Sequence, residues 1–228
     1  MNTFILTNIP AVIYLASFIL ILPIIIGSIN IKEIKRTPFQ IIYIYCIAYF
    51  VLEIISWYYA LNKLQNHFVD NLSTYLEVIL IGYFYYKVIN NRTHKKIVLL
   101  LLTLSLFCIL WSNLGTDRDF NRIDSFSGSI GNICLIAISL IFFFQLFNNM
   151  EVENLFIYPY FWISIAVLVY FSGIFFVNVF AEYITFNKDE AIIQYWIIKQ
   201  YLTIFHRIFL AIGLWFSTTP IQSNLSSK

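Results

Sequence analysis

The chain has 228 residues, of which 60% are hydrophobic, 19% aromatic and only 11% charged, and its formal net charge is +2. A soluble domain usually has about 25% charged residues, so this composition excludes a soluble globular protein. The net charge is too small to imply nucleic-acid binding, so we expect no nucleic-acid partner. The many large apolar side chains exclude a disordered or collagen-like chain. The mean hydropathy of +0.78 indicates an integral membrane protein.

Charged residues divide the chain into seven apolar stretches, each close to the roughly 20 residues that a membrane-spanning helix needs. The first stretch is too long for the core of a secretory signal, so we expect a true span, kinked at Pro23. The stretches are apolar on all sides, unlike the alternating strands of a β-barrel. The sequence therefore predicts an all-α bundle of seven transmembrane helices that forms one domain over residues 1–228. The predicted spans are 9–29, 39–61, 71–89, 97–113, 125–147, 157–181 and 191–216.

The distribution of Lys and Arg predicts the orientation of this bundle. The segments Lys32–Arg36 and Lys87–Lys96 place three and four basic residues on one side, and Lys228 brings that side to eight. Four basic residues fall on the other side. Because basic residues favour the cytoplasmic side, we expect an outer N-terminus and a cytoplasmic C-terminus, in a bacterial-type inner membrane.

Three ionisable residues are predicted to share one depth inside the membrane. At a rise of about 1.5 Å per residue, Glu53 lies about 12 Å, Glu77 about 10 Å and Lys199 about 13 Å below the outer ends of spans 2, 3 and 7. A charge at the centre of a span costs about 2.5–3.5 kcal/mol and needs partners or water. We expect these three groups to meet across the helices. They would form either a structural salt bridge or a polar pocket that binds a ligand or a proton.

A polar stripe on span 7 extends this set. Thr203 and His206 share a helical face with Lys199, and Arg207 lies beside them. His206 is predicted to lie deeper than the other three groups, either as a packing histidine, which is favoured, or as a proton relay with Arg207. For Arg207 two alternatives remain open: a buried role inside the bundle, and a side chain that extends toward the inner surface of the membrane.

Motifs of known catalytic or metal chemistry are absent from the sequence, which has no P-loop, H-E-x-x-H, C-x-x-C or G-x-S-x-G pattern. The histidines are predicted on the outer side, on the inner side and in the interior, so they cannot share a metal: His67, His94 and His206. The cysteines lie in apolar runs and are predicted to be free thiols: Cys46, Cys108 and Cys134. We therefore expect no metal and no cofactor, and enzymatic activity is not favoured.

Seven spans with an outer N-terminus resemble the plan of receptors and rhodopsins. In that plan Lys199 would form a Schiff base with retinal, and Glu77 would be its counter-ion. Retinal proteins, however, typically place an Asp four residues before the lysine, and here that residue is Tyr195. The resemblance therefore extends to topology only.

Two groups of residues resemble spans 3 and 6 of small uncharacterised bacterial seven-helix integral membrane proteins. The first is Tyr75-Leu76-Glu77 followed by Tyr83-Phe84-Tyr85-Tyr86-Lys87, and the second is Phe161-Trp162-Ile163-Ser164 followed by Tyr170-Phe171-Ser172-Gly173. The resemblance implies a sensory role and marks Glu77 as a residue of interest.

The sequence thus predicts a small sensory or receptor-like membrane protein with a polar pocket around Glu53, Glu77 and Lys199. Its partners would be the lipid bilayer and a cytoplasmic signalling protein bound at the Lys32–Arg36 and Lys87–Lys96 segments. Three alternatives remain open: a small-solute or proton-coupled transporter, an enzyme acting on lipid, and an accessory subunit with no site of its own.

Overall fold

The structure, a computed structural model, describes residues 11–114, 125–149, 154–187 and 189–218, and these residues form helices and no β-strand. In chain order the helices are α1 (Ala11–Ile19), α2 (Ile21–Ile29), α3 (Ile31–Ile34), α4 (Phe39–Leu61), α5 (His67–Val88), α6 (Arg92–Leu114), α7 (Ser125–Asn149), α8 (Pro159–Asn187) and α9 (Asp189–Phe216). A short 3-10 turn, Leu155–Ile157, precedes α8.

Six helical segments are long and apolar enough to cross a membrane. They are Ala11–Ile29, which joins α1 and α2, Phe39–Leu61, Arg92–Ser112, Phe126–Asn148, Pro159–Val179 and Ile197–Phe216. Less than half of each segment is buried inside the protein, so large apolar side chains cover the outer surface of the bundle. Apolar surface of this extent requires a lipid or protein covering. The described part of the chain is therefore that of an all-helical, multi-pass integral membrane protein.

Helix α5, the third predicted span, is not among these six segments. The seven-span count is therefore not confirmed. The helix has 22 residues, which is long enough, but it carries Asp70, Glu77 and Lys87. These charges lower its hydropathy. The predicted orientation of the termini stays a prediction.

The first span, for which a kink at Pro23 is predicted, is not one continuous helix. The helix is interrupted at Leu20, three residues before Pro23. Proline has no N–H for the carbonyl of Ile19 four residues earlier, and its ring pushes against that carbonyl. At the interruption, the N–H of Leu20 donates a hydrogen bond to the Ser17 carbonyl, three residues earlier, at 3.3 Å.

Helix α6 begins five residues earlier than predicted. The Asn91 side-chain oxygen accepts hydrogen bonds from the backbone N–H groups of Thr93, at 2.8 Å, and His94, at 3.4 Å. A side-chain oxygen at this position satisfies N–H groups that the first turn leaves unpaired. The basic residues that follow Asn91 therefore lie on the first turns of a helix and not in a loop.

The long helices close into a ring. Helix α9 packs against α1, α2 and α8, α8 packs against α7, and α7 packs against α5 and α6. Helix α5 also packs against α4 and α6, and α4 packs against α2, which completes the circuit. At Gly213 an added Cβ would lie 2.6 Å from Ile163, so the missing side chain lets α8 and α9 approach closely.

The interior of the ring differs between its two ends. Near the ends of α5 and α7 and the starts of α4 and α8, contacting rings form an aromatic cluster that contains Phe39, Phe84, Tyr85, Phe142 and Tyr160. Charged groups and hydroxyls lie farther along the helices. The three cysteines are free, as predicted.

Candidate functional site

One face of α4 carries a polar stripe that points toward α9. Its members recur every fourth residue, which places them one above another on a helix: Tyr45, Tyr49, Glu53 and Trp57. Each of these side chains has a polar or aromatic partner on another helix. The stripe on α9 meets it from the other side, through His206 and Arg207.

The Glu53 carboxylate is held by three donor groups. The Arg207 guanidinium donates through one nitrogen at 2.8 Å and through the other at 3.4 Å, in a bidentate pair. The Ser17 hydroxyl donates to the same carboxylate at 2.7 Å and accepts a hydrogen bond from the Trp57 indole at 3.1 Å. The Arg207 and Glu53 side chains are only 4% and 19% exposed. Bidentate arginine pairs in such surroundings are strong and geometrically specific.

Arg207 also joins the last helix to the first. Its guanidinium donates to the Ala16 backbone carbonyl on α1, beside the interruption of the first span. The guanidinium carbon lies 5.8 Å from the centre of the Tyr49 ring, a cation–π distance. The pair therefore fixes α1, α4 and α9 to one another.

Lys199 lies near the start of the apolar stretch of α9, which begins at Ile197. Its ammonium is 3.5 Å from the Asp70 carboxylate in the first turn of α5. These two side chains are 22% and 49% exposed, so the pair is partly open to its surroundings. We call it the rim pair.

Glu77 lies two turns beyond Asp70 on α5 and is only 8% exposed. The Tyr49 hydroxyl, the positive charge of Lys199 and the negative charge of Asp70 all act on it electrostatically. In the described part of the chain no Lys or Arg nitrogen lies within salt-bridge distance of its carboxylate. Tyr49 and Tyr170 of α8 also act on each other electrostatically.

His206 is surrounded by partners at both ring nitrogens. Its Nδ1 lies 3.1 Å from the Ala166 carbonyl, which can only accept, and its Nε2 lies 3.3 Å from the Tyr45 hydroxyl. The ring stacks on Tyr170 with 4.4 Å between centres. Both ring nitrogens therefore have a hydrogen-bonding partner inside the bundle. Thr203 is buried and donates to the Lys199 backbone carbonyl of its own helix, at 2.9 Å.

The three residues predicted to meet are distributed over two centres. The structure does not bring Glu53 and Lys199 together: Glu53 pairs with Arg207, and Lys199 pairs with Asp70. Arg207 lies eight residues after Lys199, about 12 Å farther along α9, so Glu53 and Lys199 bind partners at different levels. The Lys199 charge acts on Glu77 without forming a salt bridge with it.

Sequence reasoning missed Asp70, Ser17 and the interior tyrosines. A signal for the tyrosines exists, because the four-residue spacing from Tyr45 to Trp57 includes Glu53. No comparable pattern marks Ser17, which lies alone in an apolar stretch. Among the described residues, no group of three or more His, Cys, Asp or Glu side chains is placed to hold a metal ion.

No family model matches the chain, and neither a curated protein nor a solved structure matches it. The resemblances to the receptor plan and to bacterial seven-helix proteins thus gain no support beyond the helical architecture. The class that the structure defines is the multi-pass integral membrane protein.

Proposed function

We propose that the chain is a receptor-like seven-helix membrane protein in which Glu77 is the ligand-responsive group. The ligand would be a proton or a small cationic solute such as an organic amine. One observation carries the proposal: Glu77 is buried in the ring, and its carboxylate has no salt bridge within the described residues. A buried carboxylate without a paired cation is costly, so it favours the binding of a positive charge.

In this proposal α5 also crosses the membrane, as the third span in chain order, which brings the number of spans to seven. Its position between α4, α6 and α7 explains how it tolerates charge in a membrane. Glu77 is buried, Asp70 lies in its first turn and Lys87 in its last turn. Its exposed side chains include Leu72 and Ile79, which suit contact with lipid.

The proposed orientation places the rim pair, Lys199 and Asp70, at the outer side of a bacterial-type inner membrane. A cation arriving there meets the Asp70 carboxylate first and can exchange with Lys199 before it reaches Glu77. Its binding would change the charge balance between α5, which carries both carboxylates, and α9, which carries the lysine. A ligand shifts helix packing only through such a difference in affinity between two states. The exposed basic residues of Lys32–Arg36 and Lys87–Lys96 would then face a cytoplasmic signalling partner.

The direct test is thermal unfolding of the purified chain in detergent, between about pH 5 and 9 and with methylammonium as the probe. We expect methylammonium to raise the unfolding temperature of the parent by several degrees. We expect Glu77→Gln to remove the response, whereas Glu33→Gln, which changes an exposed carboxylate on α3, keeps it. An equal response in the parent and Glu77→Gln would overturn the proposal.

A second measurement separates the receptor from the transporter. The protein is reconstituted into vesicles, and uptake of methylammonium is followed in protein-containing and empty vesicles. A receptor gives no excess uptake. Uptake that disappears in Glu77→Gln would assign the transporter alternative, overturning the receptor role while keeping Glu77 as the binding group.

A further inference from the structure

A polar cleft of about 490 Å³ lies at the opposite end of the bundle from the rim pair. It is bounded by the connection between α5 and α6 and by the last turns of α7. Its lining residues are Asn90, Asn91, His94, Phe144, Gln145 and Asn148. Asn90 follows Glu77 by thirteen residues, which is about 20 Å along a helix. The cleft is therefore separate from the site around Glu77.

Two side chains of the cleft have buried atoms without a partner. His94 Nδ1 and Gln145 Oε1 are inaccessible to solvent, and neither forms a hydrogen bond in the described part of the chain. An unmet buried polar atom costs about 1–3 kcal/mol, and such atoms commonly mark the place of a missing partner. The Gln145 amide can present its oxygen or its NH₂ group at nearly the same position. Both side chains can thus donate to one acceptor.

The charge around the cleft is positive. Lys87, Arg92, Lys95 and Lys96 lie on the α5–α6 connection and its adjoining turns, and no Asp or Glu occurs between Glu77 and Asp117. Lys87 lies over the Tyr83 ring at 5.3 Å and Lys95 over the Tyr86 ring at 5.6 Å, so both ammonium groups stay near this end. The start of α6 adds the positive end of a helix dipole. Two acidic residues, Glu151 and Glu153, follow α7 and lie outside the described residues.

Apolar side chains adjoin the polar cleft. Phe144, which lines it, is 61% exposed, and Phe147 one turn later is 52% exposed. Ile97, on the first turns of α6, is also exposed. A free phosphate ion has no apolar part that could pack against these side chains. A molecule with a charged head and an apolar tail matches both parts, since the tail can lie along α6 and α7 where they face the membrane.

We propose that this cleft binds the phosphate of an anionic phospholipid headgroup. The His94 and Gln145 side chains donate hydrogen bonds to the phosphate oxygens, and the basic residues on the helical turns beside the α5–α6 connection supply the countercharge. Basic pockets at helix ends on the cytoplasmic side of a membrane are known to hold such headgroups. The site does not depend on the role of Glu77, so each proposal can fail alone.

The test measures lipid binding to the full chain in detergent by native mass spectrometry. The probes are phosphatidylglycerol, zwitterionic phosphatidylcholine and inorganic phosphate. We expect phosphatidylglycerol to bind most tightly and to weaken at high salt, because the contact is ionic. His94→Phe, which keeps a ring against Phe144, and Gln145→Met should each weaken phosphatidylglycerol binding about tenfold, since each loses a hydrogen bond to a charged group.

Matched controls distinguish lipid binding in the cleft from non-specific attraction between the lipid and basic residues elsewhere on the protein. His67→Phe, a histidine at the opposite end of the bundle, should leave the affinity unchanged. The double variant Arg92→Gln/Lys96→Gln should bind phosphatidylglycerol more weakly than Lys32→Gln/Lys35→Gln does. Asn148→Ala alters an exposed lining residue and tests the cleft if a packed-residue variant does not fold.

Three results would overturn the proposal. The first is equal affinity for phosphatidylglycerol and phosphatidylcholine. The second is unchanged phosphatidylglycerol binding in folded variants of the cleft, including Asn148→Ala. The third is binding of inorganic phosphate without binding of the lipid, which would identify the source of the phosphate as a free ion.

Discussion

Two carboxylates inside the ring of helices, Glu53 and Glu77, have very different surroundings. Glu53 receives a bidentate pair from Arg207 and a hydrogen bond from Ser17. Glu77 forms no salt bridge within the described residues, and the Lys199 charge acts on it only from beyond salt-bridge distance. Yet Glu77 is the more deeply buried of the two, with 8% of its surface exposed.

This difference separates a group that holds the fold from a group that is available for binding. The Glu53 centre connects α1, α4 and α9, because Arg207 also reaches the Ala16 carbonyl. A carboxylate with a full set of donors has little left to offer a ligand. A buried carboxylate with few donors gains most from a cation, and for this reason we propose Glu77 rather than Glu53 as the responsive group.

The largest effect is expected for Glu53→Gln. This change leaves the Arg207 guanidinium buried without a countercharge, and breaking a buried pair from one side costs about 3–5 kcal/mol. We expect a correspondingly lower free energy of unfolding for the variant in detergent. The exposed Glu33→Gln should leave it unchanged.

The double variant Glu53→Gln/Arg207→Gln tests the reason for that loss. With both charges removed, no ion is left uncompensated, so much of the stability should return. If Glu53→Gln alone is as stable as the parent, the Glu53–Arg207 pair does not stabilise the ring of helices. Glu53 and Glu77 would then not differ in their contribution to stability.

The sequence was sufficient for most of the fold because span limits depend on local properties. Charges, Asn, Pro and apolar length predicted α4 over residues 39–61, and the structure has the same bounds. Pro23 likewise predicted the interruption of the first span. Helix α5 is not among the six apolar segments, because charged residues lie along it. The burial of such charges depends on neighbouring helices, which the local sequence does not specify.

The candidate site was harder to predict, because depth along a helix does not decide which side chains meet. Glu53 and Lys199 were placed at one level by counting residues from span ends. Helix α9, however, carries two cations, and Arg207 offers the flat fork that matches a carboxylate. The flexible Lys199 side chain reaches Asp70 at the rim instead. The rotation and tilt of whole helices determine these pairings, and the local sequence pattern predicts neither of them.

Tyr49→Phe examines the connection between the two centres. The aromatic ring of Tyr49 contacts the Arg207 guanidinium and packs against Tyr45, with 5.6 Å between the centres of the two tyrosine rings. Phenylalanine keeps both contacts. The lost hydroxyl should cost about 0.5–1.5 kcal/mol and should alter the methylammonium response of Glu77. Tyr58→Phe, an exposed tyrosine on the same helix, is the matched control. A response like that of the parent would mean that the hydroxyl does not serve Glu77.

Asp70→Asn removes the rim pair and should have a smaller effect. Its side chains are partly exposed, and pairs of this kind contribute between about 0 and 1 kcal/mol, with screening by salt. The loss of stability should therefore shrink further when unfolding is measured at high salt, unlike the loss in Glu53→Gln. A large, salt-independent loss would place the rim pair among the groups that hold the fold.

The smallest effect on stability is expected for Glu77→Gln, although it makes the same chemical change as Glu53→Gln. Glutamine has nearly the same shape as glutamate and can still interact with Tyr49, while the cost of burying a charge without a salt bridge is removed. We expect a free energy of unfolding within about 1 kcal/mol of the parent, or above it, since replacing buried charge is often neutral or stabilising. The two variants are best unfolded side by side in the same detergent. Equal losses of several kcal/mol would show that Glu77, too, is held by a structural partner, and the proposed binding role would then lose its physical basis.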